Sequence, residues 1–127
     1  MVSGDGATPR VVVAEDNYLT AHLIVAALSA VGVPAATGRF GDQVVNLVEE
    51  LRPLVIVVNL NFSRPSGLEL LRLLRVRERG LRPIVLLNPG QADLRPQAQA
   101  YGARIFFESP FDPADLASAV LDQLGGS

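Results

Sequence analysis

The chain has 127 residues, 49% of them hydrophobic, with 11 arginines and no lysine against 13 acidic residues, for a formal charge of −2. A length of this order suits one domain around one core, and a charge so near zero argues against general nucleic-acid binding. The absence of cysteine removes disulfide frameworks, thiolate catalysis and thiolate zinc sites; a lone His22 argues against a multi-histidine metal centre or a Ser-His-Asp device; and no run of about 18 apolar residues is present to span a bilayer.

In chain order, Met1 to Gly6 lacks the basic-then-apolar layout of a secretory signal, so a cytoplasmic location is expected. Residues Arg10 to Glu15 form a β-branched run ending in acids, which predicts a buried strand. Leu19, Leu23, Ala26, Ala27 and Val31 recur at helical spacing, with Asp16 or Asn17 as N-cap and Gly32 as the stop. Val33 to Arg39 is a weaker strand, and Val44, Val45, Leu47, Val48 and Leu51 mark a second helix ended by Pro53.

Leu54 to Val58 is the strongest strand pattern. Leu60 to Pro65 reads as loop, and Ser66-Gly67 opens a third helix with the apolar stripe Leu68, Leu71, Leu74. Pro83 to Leu87 predicts a fourth strand closed by Asn88-Pro89-Gly90. The stretch Gln91 to Tyr101 reads as helix, with Pro96 either in its first turn or breaking it. Arg104 to Phe107 is a fifth strand, and Asp112-Pro113 is an N-cap and first-turn pair for a helix to Leu124, before the Gly125-Gly126-Ser127 tail.

Five strands alternating with five helices predict an α/β fold of (βα)5 type. Continuously apolar strands require cover on both sheet faces, hence a doubly wound parallel sheet. Right-handed crossovers favour the flavodoxin-like strand order 2-1-3-4-5. No linker or repeat interrupts the pattern, so residues 1–127 are expected to be one domain with an ordered core from about residue 8 to residue 124.

In such a sheet the functional site lies beyond the carboxyl ends of the strands. Glu15, Asp16 and Asn17 follow the first strand, Asn59, Leu60 and Asn61 the third, Asn88 the fourth, and Glu108, Ser109 and Pro110 the fifth. The adjacent carboxylates Glu15 and Asp16 suit a hard cation such as Mg2+; the plainer alternative is that they face the positive end of the first helix.

Taken together, Val11 to Asn17, Pro65 to Leu71, Pro83 to Leu87 and Ser109-Pro110-Phe111 resemble, in order and spacing, the receiver domains of two-component response regulators. The resemblance covers nearly the whole chain. It implies that the aspartate accepting a phosphoryl group from a sensor kinase would stand eight residues before Gly67, where this chain has Asn59. No aspartate occurs between Asp42 and Asp93, so no slip of register supplies one. The family's threonine or serine after the fourth strand corresponds to Asn88, its partner aromatic on the fifth strand to Phe106, and its lysine to Ser109. Only the acidic pair Glu15 and Asp16 is kept.

A neutral amide is a poor nucleophile, and phosphoryl transfer to an acceptor of this kind needs an anionic oxygen in line with phosphorus. The typical pocket holds three carboxylates and one ammonium; here two carboxylates and no ammonium carry the same formal charge, so the two losses compensate. These departures lead to the expectation of a pseudo-receiver. It would be a phosphorylation-independent protein-interaction module of a phosphorelay-type pathway, without enzymatic activity. A vestigial Mg2+ site from Glu15, Asp16, the Asn59 amide oxygen and the Asn61 carbonyl would be weak, and no other cofactor is expected. Two alternatives are a small-ligand or nucleotide-binding domain using the same pocket, and a flavodoxin-type electron carrier. The first has no Gly-rich phosphate loop after strand 1, and the second has no tryptophan to stack on a flavin.

Partner binding in the resembled family commonly uses helix 4, strand 5 and helix 5. Here that stretch includes Phe106, Phe107 and Phe111, and Pro96 gives its helix 4 an unusual start. Protein partners are expected there, self-association is left open, and membrane or nucleic-acid partners are not expected. Asn88 and Phe106 read either as a switch held in one state or as ordinary packing on an edge strand. Arg72, Arg75, Arg77, Arg79 and Arg82 read either as a patch for an acidic partner or, with Glu69 and Glu78 nearby, as a solvated helix face. His22 reads as structural or exposed.

Overall fold

A computed structural model describes residues 8–63 and 65–125. The signal-sequence reading at residues 1–6, Arg64 of the loop and Gly126-Ser127 of the tail lie outside the described residues. Strands β1 (Val11–Ala14), β2 (Ala35–Gly38), β3 (Val55–Asn59), β4 (Arg82–Leu87) and β5 (Ile105–Glu108) alternate with helices α1 (Tyr18–Ala30), α2 (Gly41–Leu51), α3 (Gly67–Arg77), α4 (Arg95–Ala100) and α5 (Pro113–Gln123). The strands pair in parallel in the order β2-β1-β3-β4-β5, which is the flavodoxin-like order expected.

Alternate strand residues face opposite layers. Val12, Ala14, Ile56, Val58, Val85 and Leu87 meet α2, α3 and α4, whereas Val11, Val13, Val55, Val57, Ile84 and Leu86 meet α1 and α5. Each central strand is thus buried on both faces, and this is why its sequence reads as an unbroken apolar run.

Local chemistry sets the helix ends. The Asn17 side chain accepts from Thr20 N at 3.0 Å, so Asn17 rather than Asp16 caps α1. Ser66 caps α3 by accepting from Glu69 N, and Asp112 caps α5 by accepting from Ala114 N with Pro113 in the first turn. α2 stops at Arg52, whose φ of 46° lies in the left-handed region ahead of Pro53. Pro96 enters the first turn of α4, and the predicted single helix over 91–101 divides into a 3-10 turn at Ala92–Leu94 and a short α4.

One expectation is overturned. The stripe predicted for α1 faces outward: Leu19 and Leu23 are exposed, and Val31 is the exposed C-cap, while Ala21, Ile24 and Leu28 are buried. In α3 the predicted stripe does face the core, with Leu71 and Leu74 buried, Leu68 half-buried against the same cluster, and Leu70 buried beside them. The segment after β3 is loop, yet Leu60 and Phe62 are buried because they continue the strand's two-residue period into the α3 layer.

Candidate functional site

The carboxyl ends of β1, β3, β4 and β5 converge on one rim of the sheet. Parallel pairing in register sets Ala14 beside Val58 and Asn59 beside Leu86, so the residues that follow these positions meet. Gly67 lets α3 start close against this rim. A Cβ there would come within 2.5 Å of the Asn59 carbonyl oxygen and the Leu60 Cα, so only glycine fits.

Glu15 is the one buried charged side chain among the described residues, 1% exposed, and both its oxygens accept hydrogen bonds. Asn59 Nδ2 donates to Oε1 at 2.7 Å, and the backbone N–H of Asn17 donates to Oε2 at 3.0 Å. The other end of the Asn59 amide is also engaged, since Asn61 N–H donates to its Oδ1 at 2.9 Å. These two contacts fix the amide orientation, with nitrogen toward the carboxylate and oxygen toward the backbone donor. Asp16 Oδ2 accepts from the Ser63 N–H at 3.1 Å and the Ser63 hydroxyl at 2.7 Å.

The network continues to β4. Gln91 Nε2 donates to Asn61 Oδ1 at 2.8 Å, and Asn88 N–H donates to Gln91 Oε1 at 2.7 Å. Ser109 is half-buried, joined to β4 by its N–H donating to the Leu87 carbonyl at 2.8 Å, and followed by a cis peptide to Pro110. Phe106 on β5 is half-buried, with the Arg95 guanidinium carbon 5.1 Å from its ring centre.

Burial pushes the Glu15 carboxyl above its ordinary pKa; the hydrogen bonds from Asn59 and Asn17 act in the opposite direction but do not overcome it. Asp16 next in the chain adds like-charge repulsion, which raises it further.

For Mg2+ this donor set is a poor fit. The ion demands several oxygen ligands in near-octahedral array. Asn59 presents nitrogen, not oxygen, to Glu15, and the Asp16 oxygen nearest the loop is held by Ser63. Rotating the amide would set its oxygen against a buried carboxylate and strand the Asn61 N–H. Among the described residues no three of His, Cys, Asp and Glu gather as a metal-binding group.

The structure brings together Glu15, Asp16, Asn59, Asn61 and Asn88 and holds Ser109 on the neighbouring strand end. The acidic pair does more than face the first helix: Glu15 accepts from the N–H of the cap residue Asn17 and from the Asn59 amide, and Asp16 binds Ser63. Sequence reasoning missed Ser63 and Gln91. Ser63 carried a faint signal, a small hydroxyl in the loop after the third strand, whereas nothing local singled out Gln91.

A sequence profile described as the response regulator receiver domain matches residues 11–121. The chain is 22% identical over 111 residues to sporulation initiation phosphotransferase F of Bacillus subtilis, covering 87% of this chain and 90% of that one. It is 33% identical over 109 residues to the transcriptional regulatory protein FixJ of Azorhizobium caulinodans, covering 86% of this chain but only 44% of the relative. The receiver domain of NtrX from Brucella abortus superposes with a TM-score of 0.85 at 22% identity, over 92% of this chain and 99% of that domain, a likeness of fold.

Proposed function

This chain belongs to the response regulator receiver domain family, and from that premise we propose that it is a phosphorylation-independent member, a pseudo-receiver that signals by binding protein partners. Receivers are generally non-enzymatic signalling modules that interact with proteins such as kinases and effector domains, and typical members bind Mg2+ at the phosphorylation site.

One observation carries it. At the end of β3, where a typical receiver presents the acceptor carboxylate, the Asn59 amide donates at 2.7 Å to Glu15 and accepts at 2.9 Å from Asn61. An amide in that place offers no anionic oxygen to phosphorus, and its N–H group is committed to a hydrogen bond to the Glu15 carboxylate. Ser109, at the lysine position, brings no ammonium to neutralise a transferred phosphoryl group. The same closure disfavours the small-ligand reading, because both ends of the amide are engaged within the chain.

Asn88 and Phe106, at the positions that respond to phosphorylation in typical receivers, support a single resting state. The Asn88 N–H is tied through Gln91 to Asn61, and Phe106 packs toward the α3 layer beneath Arg95. Partner binding is assigned to the α4-β5-α5 face. Its first helix there is only six residues long, so it presents a shape different from that of a receiver with a full α4. Among the described residues no helix is long and apolar enough to cross a membrane.

The test is incubation of the protein with a small phosphodonor such as acetyl phosphate and Mg2+, followed by intact mass measurement. The expected outcome is an unchanged mass. A hydroxylamine-labile gain of one phosphoryl group would overturn the proposal.

A further inference from the structure

At the rim of the sheet opposite Asn59, four arginines line one cleft of about 400 Å3. Arg75 and Arg79 come from the last turn of α3 and the loop beyond it, Arg82 opens β4, and Arg104 precedes β5. Leu81 and Ile105 add apolar wall, and no acidic side chain lines the cleft. The arrangement is long-range: residues separated by up to 29 positions are united because β4 and β5 are adjacent parallel strands whose amino ends share this rim.

Three other arginines are paired with carboxylates. Arg52 pairs with Glu78, Arg72 with Glu69 and Arg77 with Glu49, whereas none of the four in the cleft makes an ion pair among the described residues. Arg82 Nη1 donates to the Gln123 carbonyl at 2.7 Å, and Arg104 Nη1 donates to the Gln99 and Ala103 carbonyls at 3.4 and 3.3 Å. These contacts steady the two side chains while leaving most of the five N–H donors of each guanidinium free. Arg75 crosses Gly102, whose φ of 101° favours glycine and at which a Cβ would stand 3.3 Å from the Arg75 Nη1.

A plain explanation is that the arginines complement helix carboxyl ends, which all point to this rim in a doubly wound fold. Each such end carries only about half a unit of negative charge, so the ends of α3, α4 and α5 together offset at most about 1.5 of four positive charges. A substantial positive excess remains in a chain whose net charge is −2. We propose that this cleft is a binding site for a small anion bearing a chain of two or more phosphate groups, whether free polyphosphate or the tail of a nucleotide. Guanidinium forks match phosphate oxygens bidentately, and the cleft volume lies within the range of small-molecule sites. A nucleic-acid duplex would call for an extended basic stripe, while these four charges converge on a single concavity.

The site lies away from the Asn59 network, so its test stands apart from that of the pseudo-receiver reading. Isothermal titration at low salt, without divalent metal, is performed with tripolyphosphate, ATP and AMP, and the bound site is mapped by 15N amide shifts. Tripolyphosphate and ATP are expected to saturate one site, AMP to bind roughly tenfold or more weakly, and shifts to centre on Gly80, Gly102 and Ile105. Equal affinity for ATP and tripolyphosphate identifies the phosphate chain as the ligand, and tighter ATP binding identifies a nucleotide. The double variant R75E/R79E is expected to abolish binding, and R75Q/R79Q, which adds no negative charge, to weaken it about tenfold or more with an unchanged circular dichroism spectrum. Absence of saturable binding by the folded protein, equal binding by R75Q/R79Q, shifts centred elsewhere, or tighter binding of a DNA duplex than of tripolyphosphate would each overturn the proposal.

Discussion

Glu15 sits at the meeting point of opposing forces: burial disfavours its charge, while donors from Asn59 and Asn17 favour it. Because burial prevails, its folded-state pKa lies above the ordinary value near 4.5. A group raised in this way contributes stability below its unfolded pKa and loses that contribution as pH rises through the folded value. Urea unfolding of the protein from pH 4 to pH 7 should therefore show a declining Glu15 contribution with rising pH, and the Glu15→Gln variant should lack that decline. Asn59 matters through the same pair. Asn59→Asp removes the donor and places a second carboxylate beside the first, and is expected to destabilise the fold by about 2 kcal/mol at pH 7. Mg2+ should restore part of that loss in Asn59→Asp and leave the melting temperature of the parent unchanged, since only the variant has oxygens awaiting a cation.

At the scale of elements, α1 shows where periodicity loses its power. Tyr18–Ala30 is apolar on almost every side, so stripes through Leu19 and Leu23 and through Ile24 and Leu28 both satisfy helical spacing. The choice is made by the sheet and by α5, against which Ile24 and Leu28 pack, leaving Tyr18, Leu19 and Leu23 exposed. Leu28→Ala should cost about 3 kcal/mol in chemical denaturation, and Leu23→Ala less than about 0.5 kcal/mol. α2 was easier to read because its polar and apolar residues separate cleanly, with Val44 and Val48 buried and Asp42, Glu49 and Glu50 outside. α4 was legible only as an alternative at Pro96, and the structure takes the branch with proline in the first turn.

At the scale of the whole molecule, small groups of like charge stand at the two rims of the sheet. Glu15, Asp16 and Glu108 stand at the carboxyl rim of the sheet, and Arg75, Arg79, Arg82 and Arg104 at the amino rim, a separation that a net charge of −2 conceals. An anion that binds only the folded chain stabilises it by mass action, by about 2.7 kcal/mol at a hundredfold excess over its dissociation constant. In differential scanning fluorimetry, tripolyphosphate should raise the melting temperature of the parent by several degrees at low salt. The rise should shrink as salt is added, and it should persist in Asn59→Asp because that change lies at the other rim.

The five strands and the two-sided burial of the central ones, the helix opening at Ser66, the cap at Asp112, and the placing of Glu15, Asp16, Asn59, Asn88 and Ser109 just beyond strand ends were legible from residue type and spacing. They depend on short-range periodicity and on turn chemistry that neighbouring residues carry in themselves. The orientation of the Asn59 amide, the capture of Asp16 by Ser63, the Gln91 bridge and the gathering of Arg104 with Arg75, Arg79 and Arg82 were decided only by tertiary structure. Each joins groups far apart in the chain whose meeting is set by which strands lie side by side, and no local pattern encodes that distance.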